Sequence, residues 1–417
     1  MIFLIAIFLI VLYFTIWQYE PTVDDIHRPK DRGWPNTRIG WVKFFRGSTS
    51  YNPPKQVEHL IGVLLHGVVV YLVYLRFGLT TATLVCVHPC AVQIHTWFNG
   101  RRYGVSAIIA YLVTLYPWAA LLWPWTAVWQ FSGLPSILLS PMPVWGWVVG
   151  AALLPFTFRF AKKWFKSRQD EVDTNNPLRR WDNRRPVYSL KLFGRYFWRT
   201  LFPTKVAYFY PWYDYLGVST KDTDDVYRWD KDAWLGLLAI GVCIAVVHYC
   251  GAYSVLWFCL FIAPFLHIRT QFVMAYADRY SYIASAGLLS LIPAPWSYVA
   301  IGWYAGATLY AVRQYRDFRY FYDYNCAIHP YDTRSFIHYC GSLAVNKKYT
   351  EAIAIGVIGL HYRPQDYALN MLLGKVYKEC KNYAMARRHF DRAMNNPMTG
   401  KEAQQIADII KLKESMR

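Results

Sequence analysis

The sequence predicts an all-α, polytopic membrane protein with about eleven transmembrane helices, followed by a small domain of helical hairpins. Hydrophobic residues make up 55% of the 417-residue chain and charged residues only 17%, whereas soluble domains average about 25% charged residues. Long apolar segments recur from Met1 to about Ala311, and a hydrophilic tail with a 34-residue repeat follows. These observations predict a transmembrane domain over residues 1–316 and a repeat domain over residues 317–417.

The apolar segments predict where the chain crosses the bilayer, since about 20 apolar residues span it as a helix. The first segment lacks both a basic start and a small-x-small cleavage site, so we interpret it as a retained helix and not as a signal peptide. The predicted spans are residues 1–18, 57–76, 79–97, 104–117, 118–132, 143–160, 188–206, 233–250, 252–268, 280–293 and 295–311.

Three hydrophilic stretches between the spans predict the orientation. The loop 161–186 is strongly basic, and basic loops remain in the cytoplasm. Counting crossings from it places the first loop, residues 19–56, the second outer loop, residues 207–232, and the C-terminal domain on the non-cytoplasmic side. The 19 Trp and 34 Tyr fit helix ends at headgroup depth.

The net charge of +19 indicates anionic lipid or phosphate-bearing substrates as partners. Nucleic acid is excluded because the basic residues lie in loops between apolar spans and not on a soluble aromatic fold. The eight Cys form neither a disulfide framework nor a zinc spacing, and no nucleotide-binding or metalloprotease motif occurs. We therefore predict no metal and no bound cofactor.

The hydrophilic tail contains two copies of a repeat. Ala352 and Ala386 are 34 residues apart, as are Gly359 and Ala393. The segment from Leu373 to Pro397 follows the tetratricopeptide pattern of small residues where helices cross. Two such copies and a final helix predict a stack that binds a peptide or a partner protein. The alternative is an unrelated pair of helical hairpins.

Two carboxylates, Asp24 and Asp25, follow the first apolar helix directly. They lie within about two turns of the membrane surface. One interpretation is that they cap a short helix. The other is that one of them is a general base that deprotonates a hydroxyl nucleophile, while its neighbour holds the geometry.

Polar residues inside or at the ends of apolar spans are the other candidates. His59 and His66 are two helical turns apart, so they share a face and either line a polar cavity or bond to neighbouring helices. The block from His88 to Arg102 ends a span in Asn-Gly-Arg-Arg, and Arg101 and Arg102 are either phosphate ligands or interfacial anchors. Candidate residues in a third block are Asp278, Arg279 and Tyr280, where the alternative is a structural ion pair.

Taken in order, these blocks resemble the GT-C glycosyltransferases, and most closely the protein O-mannosyltransferases that combine transmembrane helices with tetratricopeptide repeats. The resemblance covers about residues 19–110, 190–290 and the repeats. Two positions depart from the family pattern, because Gln93 and Asp278 each stand where the family has Glu.

The resemblance implies a membrane enzyme that moves a monosaccharide from a polyprenyl- or dolichyl-phosphate carrier to an acceptor hydroxyl, such as that of a protein Ser or Thr, on the periplasmic or lumenal side. It implies that Asp24 and Asp25 supply the base. His88, Arg101 and the Arg279 block would lie near the carrier phosphate. Two other classes remain open: a non-catalytic scaffold that recruits a partner through its repeats, and a transporter with a proton path through its intramembrane histidines and Asp278.

Overall fold

The structure, a computed structural model, describes residues 1–19, 35, 37, 41, 45, 54–96, 100–116, 119, 185–204, 206, 228–266, 277–328, 330, 333–395 and 402–415. Every regular element in these ranges is a helix, which confirms the predicted all-α class. The helices before residue 317 are α1 (Ile2–Ile16), α2 (Lys55–Phe77), α3 (Leu79–Val87), α4 (Val92–Thr96), α5 (Arg101–Leu115), α6 (Arg185–Leu201), α7 (Lys231–Cys250), α8 (Ser254–Ile262), α9 (Ser281–Leu289) and α10 (Ala294–Val312).

Two of the described helices, α2 and α7, are long and apolar enough to cross a membrane. The expected total of about eleven spans is therefore not confirmed. Proline is one physical reason: Pro89 follows the end of α3 and Pro264 lies in a 3₁₀ turn directly after α8, so the predicted spans 79–97 and 252–268 each form shorter helical pieces. The predicted spans 118–132 and 143–160 lie outside the described residues.

The apolar faces of several helices are open to the surroundings. Only 39% of the most apolar window of α2 and 22% of that of α7 is buried. On α7 the side chains of Trp234, Leu238 and Ile244 are exposed, and α1 and α10 expose Phe3 and Trp296 in the same way. The core helix of a soluble protein would be mostly buried, and these two helices are mostly exposed.

Glycine permits a close crossing between α6 and α7. A Cβ on Gly194 would lie 2.7 Å from the Cα of Gly236, and a Cβ on Gly236 would overlap the backbone carbonyl of Leu190. At one end of this crossing Asp230 caps α7 by accepting from the backbone N–H groups of Asp232 and Ala233, and it pairs with Lys191 on α6. Close packing and this ion pair fix α6 against α7.

The C-terminal helices are α11 (Phe318–Ile328), α12 (Thr333–Val345), α13 (Tyr349–Tyr362), α14 (Tyr367–Glu379), α15 (Tyr383–Met394) and α16 (Glu402–Glu414). α12 and α14 begin 34 residues apart, and so do α13 and α15. We call α12–α16 the C-terminal array.

Small residues lie where the helices of the C-terminal array cross. Ala352 and Ala386 are fully buried, and a Cβ on Gly374 would overlap the ring of Phe390. Phe390 belongs to a small core with Ala386, Ala393 and Ile409.

One hydrophobic core runs from α10 through α11 into the C-terminal array. Tyr315, in the 3₁₀ turn Arg313–Tyr315, packs on Phe321 of α11. Tyr322 of α11 stacks on Tyr339 of α12 with ring centroids 5.2 Å apart. The chain therefore passes from α10 into the array through packed aromatic side chains and not through an open linker.

A buried histidine makes the array sensitive to acid. The Nδ1–H of His389 donates to Asn370 Oδ1 over 3.0 Å, while the amide of Asn370 donates to the Pro364 and Asp366 carbonyls. Burial, together with the nearby Arg392 and Arg388, lowers the pKa of His389 from 6.5 to about 4. Folding thus favours the neutral ring.

We expect the array to lose stability as the pH falls from about 6.5 to about 4, because the His389 ring binds a proton in the unfolded chain over this range and stays neutral in the folded chain. The full loss is about 3 kcal/mol, at about 1.4 kcal/mol per pKa unit. Hydrogen exchange of α14 and α15 in the full chain, corrected for intrinsic rates, measures it. His389→Gln should flatten the pH dependence and the exposed His361→Gln should not; equal pH profiles for wild type and His389→Gln would contradict the assignment.

Candidate functional site

Two of the predicted site residues, Asp24 and Asp25, lie outside the described residues, as does most of the first loop, residues 19–56. Most of the basic loop 161–186 and of the loop 207–232 also lies outside them. The predicted histidines and the two arginine blocks are described.

Two arginines from distant parts of the sequence meet on one tyrosine. Arg279 donates from Nε to the Tyr103 hydroxyl over 2.9 Å, and Arg102 donates from Nη2 to the same oxygen over 3.3 Å. Their Cζ atoms lie 5.6 Å and 5.1 Å from the centroid of the Tyr103 ring. Arg102 and Tyr103 belong to the first turn of α5, and Arg279 belongs to the 3₁₀ turn Asp278–Tyr280. We call these three residues the arginine–tyrosine cluster.

Arg279 also contacts two neutral side chains, those of Gln93 and Tyr280. Its Nη1 donates to Gln93 Oε1 over 2.7 Å, and its Cζ lies 5.0 Å from the ring centroid of Tyr280. The Nε2 of Gln93 is buried and makes no hydrogen bond within the described part of the chain. Gln93 thus meets Arg279 through an amide where the family pattern has a carboxylate.

The neighbouring charged residues form pairs of their own. Arg101 makes a buried ion pair with Glu58 of α2. Asp278 accepts from Arg199 of α6 over 3.3 Å. Each of these carboxylates is thus engaged by an arginine outside the arginine–tyrosine cluster. Arg102 and Arg279 share a bonding partner, the Tyr103 hydroxyl.

The predicted histidines are all buried and all bonded. His66 lies with Nδ1 2.7 Å from the Tyr282 hydroxyl and Nε2 3.0 Å from the Cys86 carbonyl. His88 accepts from the Cys90 backbone N–H and lies 2.9 Å from the Thr200 carbonyl.

His59 bridges two carbonyl oxygens, those of His95 and Tyr19. The three histidines therefore tie helices together. His59 contacts the His95 carbonyl and the His66 ring packs on the His95 ring, so both reach α4, the helix that contains Gln93.

Sequence reasoning did not select four of the residues that build this region: Tyr103, Glu58, Arg199 and His95. Tyr103 could have been found, because it directly follows Arg101-Arg102 just as Tyr280 follows Arg279. Glu58 is a carboxylate at the start of an apolar helix, directly before His59. His95 is buried with its ring 4.6 Å from that of His66, a packing that no local pattern signals.

An apolar cavity of about 870 Å³ opens between α6, α7 and α8. Its wall includes Phe193, Ile244, Val255 and Leu266. Phe265, next to Leu266, stacks on Tyr280 with centroids 4.4 Å apart. Leu266 of the cavity wall is thus linked to Arg279 through its neighbour Phe265 and through Tyr280.

The guanidinium groups of the cluster can bind an anion, and the apolar cavity can hold a hydrocarbon chain. Guanidinium groups form short, charge-assisted hydrogen bonds to phosphate and carboxylate oxygens. No group of His, Cys, Asp and Glu with the geometry of a metal site occurs within the described ranges. A scan against protein-family models and searches of curated proteins and of solved structures found no match for this chain.

Proposed function

We propose that this protein is a membrane glycosyltransferase of the GT-C type, which moves a monosaccharide from a polyprenyl- or dolichyl-phosphate carrier to an acceptor hydroxyl. The observation that carries the proposal is the convergence of Arg102 and Arg279 on the Tyr103 hydroxyl, which is linked through Tyr280 and Phe265 to the wall of an apolar cavity. A phosphate bound to a long hydrocarbon chain fits both the arginine pair and the apolar cavity. A soluble sugar nucleotide would use only the arginine pair.

The reaction is a single displacement. The acceptor oxygen attacks the anomeric carbon as the bond from that carbon to the carrier phosphate breaks, which inverts the anomeric centre. Asp24 or Asp25 takes the proton of the acceptor hydroxyl. The carrier phosphate leaves with the bonding electron pair, and Arg102 and Arg279 stabilise its charge. No metal and no further cofactor takes part.

The open apolar faces of α1, α2, α7 and α10 support a membrane location. The proposal keeps the polytopic arrangement of about eleven spans, in the bacterial inner membrane or the ER membrane. The catalytic carboxylates and the C-terminal array lie on the periplasmic or lumenal side. The array is proposed to be a tetratricopeptide-like domain.

Sugar transfer by purified protein tests the proposal. The donors are radiolabelled polyprenyl-phosphate monosaccharides, and the acceptors are co-expressed envelope or lumenal proteins. We expect wild type to incorporate label from one donor and Asp24→Asn/Asp25→Asn to lose at least about 100-fold in rate. Arg279→Gln should lose about 100- to 1,000-fold.

Arg316→Gln is the matched control for Arg279→Gln. Its side chain is 63% exposed and pairs with the neighbouring Asp317, so its loss should leave transfer unchanged. No transfer by wild type from any donor would rule out the enzyme. Equal losses in both arginine variants would show that the cluster has no special role.

A groove on the C-terminal array favours a second candidate, a non-catalytic scaffold. A cavity of about 500 Å³ lies between α12 and α14, with Ile337, Val345 and Leu372 in its wall and Lys375 and Glu379 beside them. Its mixed lining fits a peptide with apolar anchors. A scaffold would bind its partner equally well with Asp24→Asn/Asp25→Asn, and it would transfer no sugar.

A further inference from the structure

We propose that Tyr103 is the positioning residue of the phosphate site: its hydroxyl holds the guanidinium groups of Arg102 and Arg279 at the spacing that one phosphate group needs. This inference rests on the proposed function, because it assumes that the two arginines bind the carrier phosphate. It assigns a role to a residue that lies between them in space.

The phenol oxygen is the shared point of the two cations. Arg279 Nε and Arg102 Nη2 lie 2.9 Å and 3.3 Å from it. Two groups that bond to one atom are held within a few ångströms of each other, which is the span of a single tetrahedral anion. Like charges at this distance repel, and the two hydrogen bonds to the phenol oxygen oppose that repulsion.

The burial of Tyr103 makes the position precise. Tyr103 is 5% exposed, and it lies in the first turn of α5, which packs closely on α2. Gly104, its neighbour, faces Leu65 of α2 at a distance that leaves little room for a Cβ. Since α5 cannot shift far, the hydroxyl is a fixed point, whereas arginine side chains are otherwise flexible.

Binding of farnesyl phosphate to the full chain in detergent tests the inference, with farnesol and inorganic phosphate as the other two probes. We expect Tyr103→Phe, which keeps the ring and removes the oxygen, to weaken farnesyl phosphate binding about tenfold or more. Farnesol binding should not change. Tyr111→Phe is the control, because it removes another buried hydroxyl from the same helix, one that bonds to the Ile283 carbonyl.

A double-mutant cycle separates positioning from a general loss of structure. In the Arg102→Gln background, Tyr103→Phe should cost clearly less than it does in wild type, because one of the two aligned groups is already gone. Equal costs in both backgrounds would overturn the inference. The cycle compares folded protein only, with each variant's thermal midpoint in detergent as the check.

The outcomes distinguish this inference from the proposed function. If Arg279→Gln weakens farnesyl phosphate binding and Tyr103→Phe does not, Tyr103 has no positioning role and the phosphate site stands. If wild type binds farnesol as tightly as farnesyl phosphate, both ideas fail. If inorganic phosphate binds as tightly as the lipid and needs Tyr103, positioning is supported and the ligand is a free anion, which contradicts the lipid donor.

Discussion

Glu58→Gln is expected to destabilise the protein by about 3–5 kcal/mol, because it leaves the charge of Arg101 buried without its carboxylate. The side chains of Arg101 and Glu58 are 2% and 1% exposed. The pair joins α2 to the start of α5, next to the arginine–tyrosine cluster. Its loss should therefore lower both the thermal midpoint in detergent and the affinity for farnesyl phosphate.

The double variant Glu58→Met/Arg101→Met is the informative comparison. It removes both charges and keeps much of the volume, and replacing a buried pair by apolar groups is often neutral. We expect it to recover most of the lost midpoint. A double variant as unstable as Glu58→Gln alone would contradict an ion-pair role and would indicate that the other contacts of these side chains dominate.

Gly236→Ala is expected to separate α6 from α7, because its Cβ would meet the backbone carbonyl of Leu190, which cannot rotate away. The cost is about 1–3 kcal/mol. Gly241→Ala is the matched control on the same helix, since a Cβ there has nothing within 4 Å. That change should be neutral or slightly stabilising, because Ala favours helix over Gly.

The thermal midpoint in detergent measures both glycine variants. Gly236→Ala should lower it by several degrees and Gly241→Ala should not. The two helices also form walls of the apolar cavity, so Gly236→Ala should speed maleimide labelling of Cys243 and Cys259, which line it. Equal behaviour of the two variants would show that the close crossing of α6 and α7 contributes little.

The helices were largely predictable from the sequence because apolar periods and prolines act locally. The predicted span 57–76 matches α2 within two residues at its start and one at its end, and the span 233–250 matches α7 as closely. The number of spans was not predictable in the same way. An apolar segment indicates that a chain is buried or lies in lipid. A proline within the segment divides the helix into pieces that are too short to cross the bilayer.

The partners of the candidate residues were less predictable than the helices. Arg101 and Arg102 are neighbours in the sequence, yet successive residues on a helix point about 100° apart, so one faces Glu58 and the other faces Tyr103. Only the packing of α5 on α2 decides which of the two arginines reaches Glu58. The contact between Gln93 and Arg279 joins residues 186 positions apart, which no local pattern reveals.

The packed junction between α10 and the C-terminal array has a consequence for any partner that the array captures. The side chains of Tyr315, Phe321, Tyr322 and Tyr339 form a continuous aromatic column, which fixes the array on α10. A partner bound in the groove between α12 and α14 would therefore have a fixed position relative to α10 and would not diffuse on a flexible linker. The orientation of the array would decide which part of the partner faces the membrane surface.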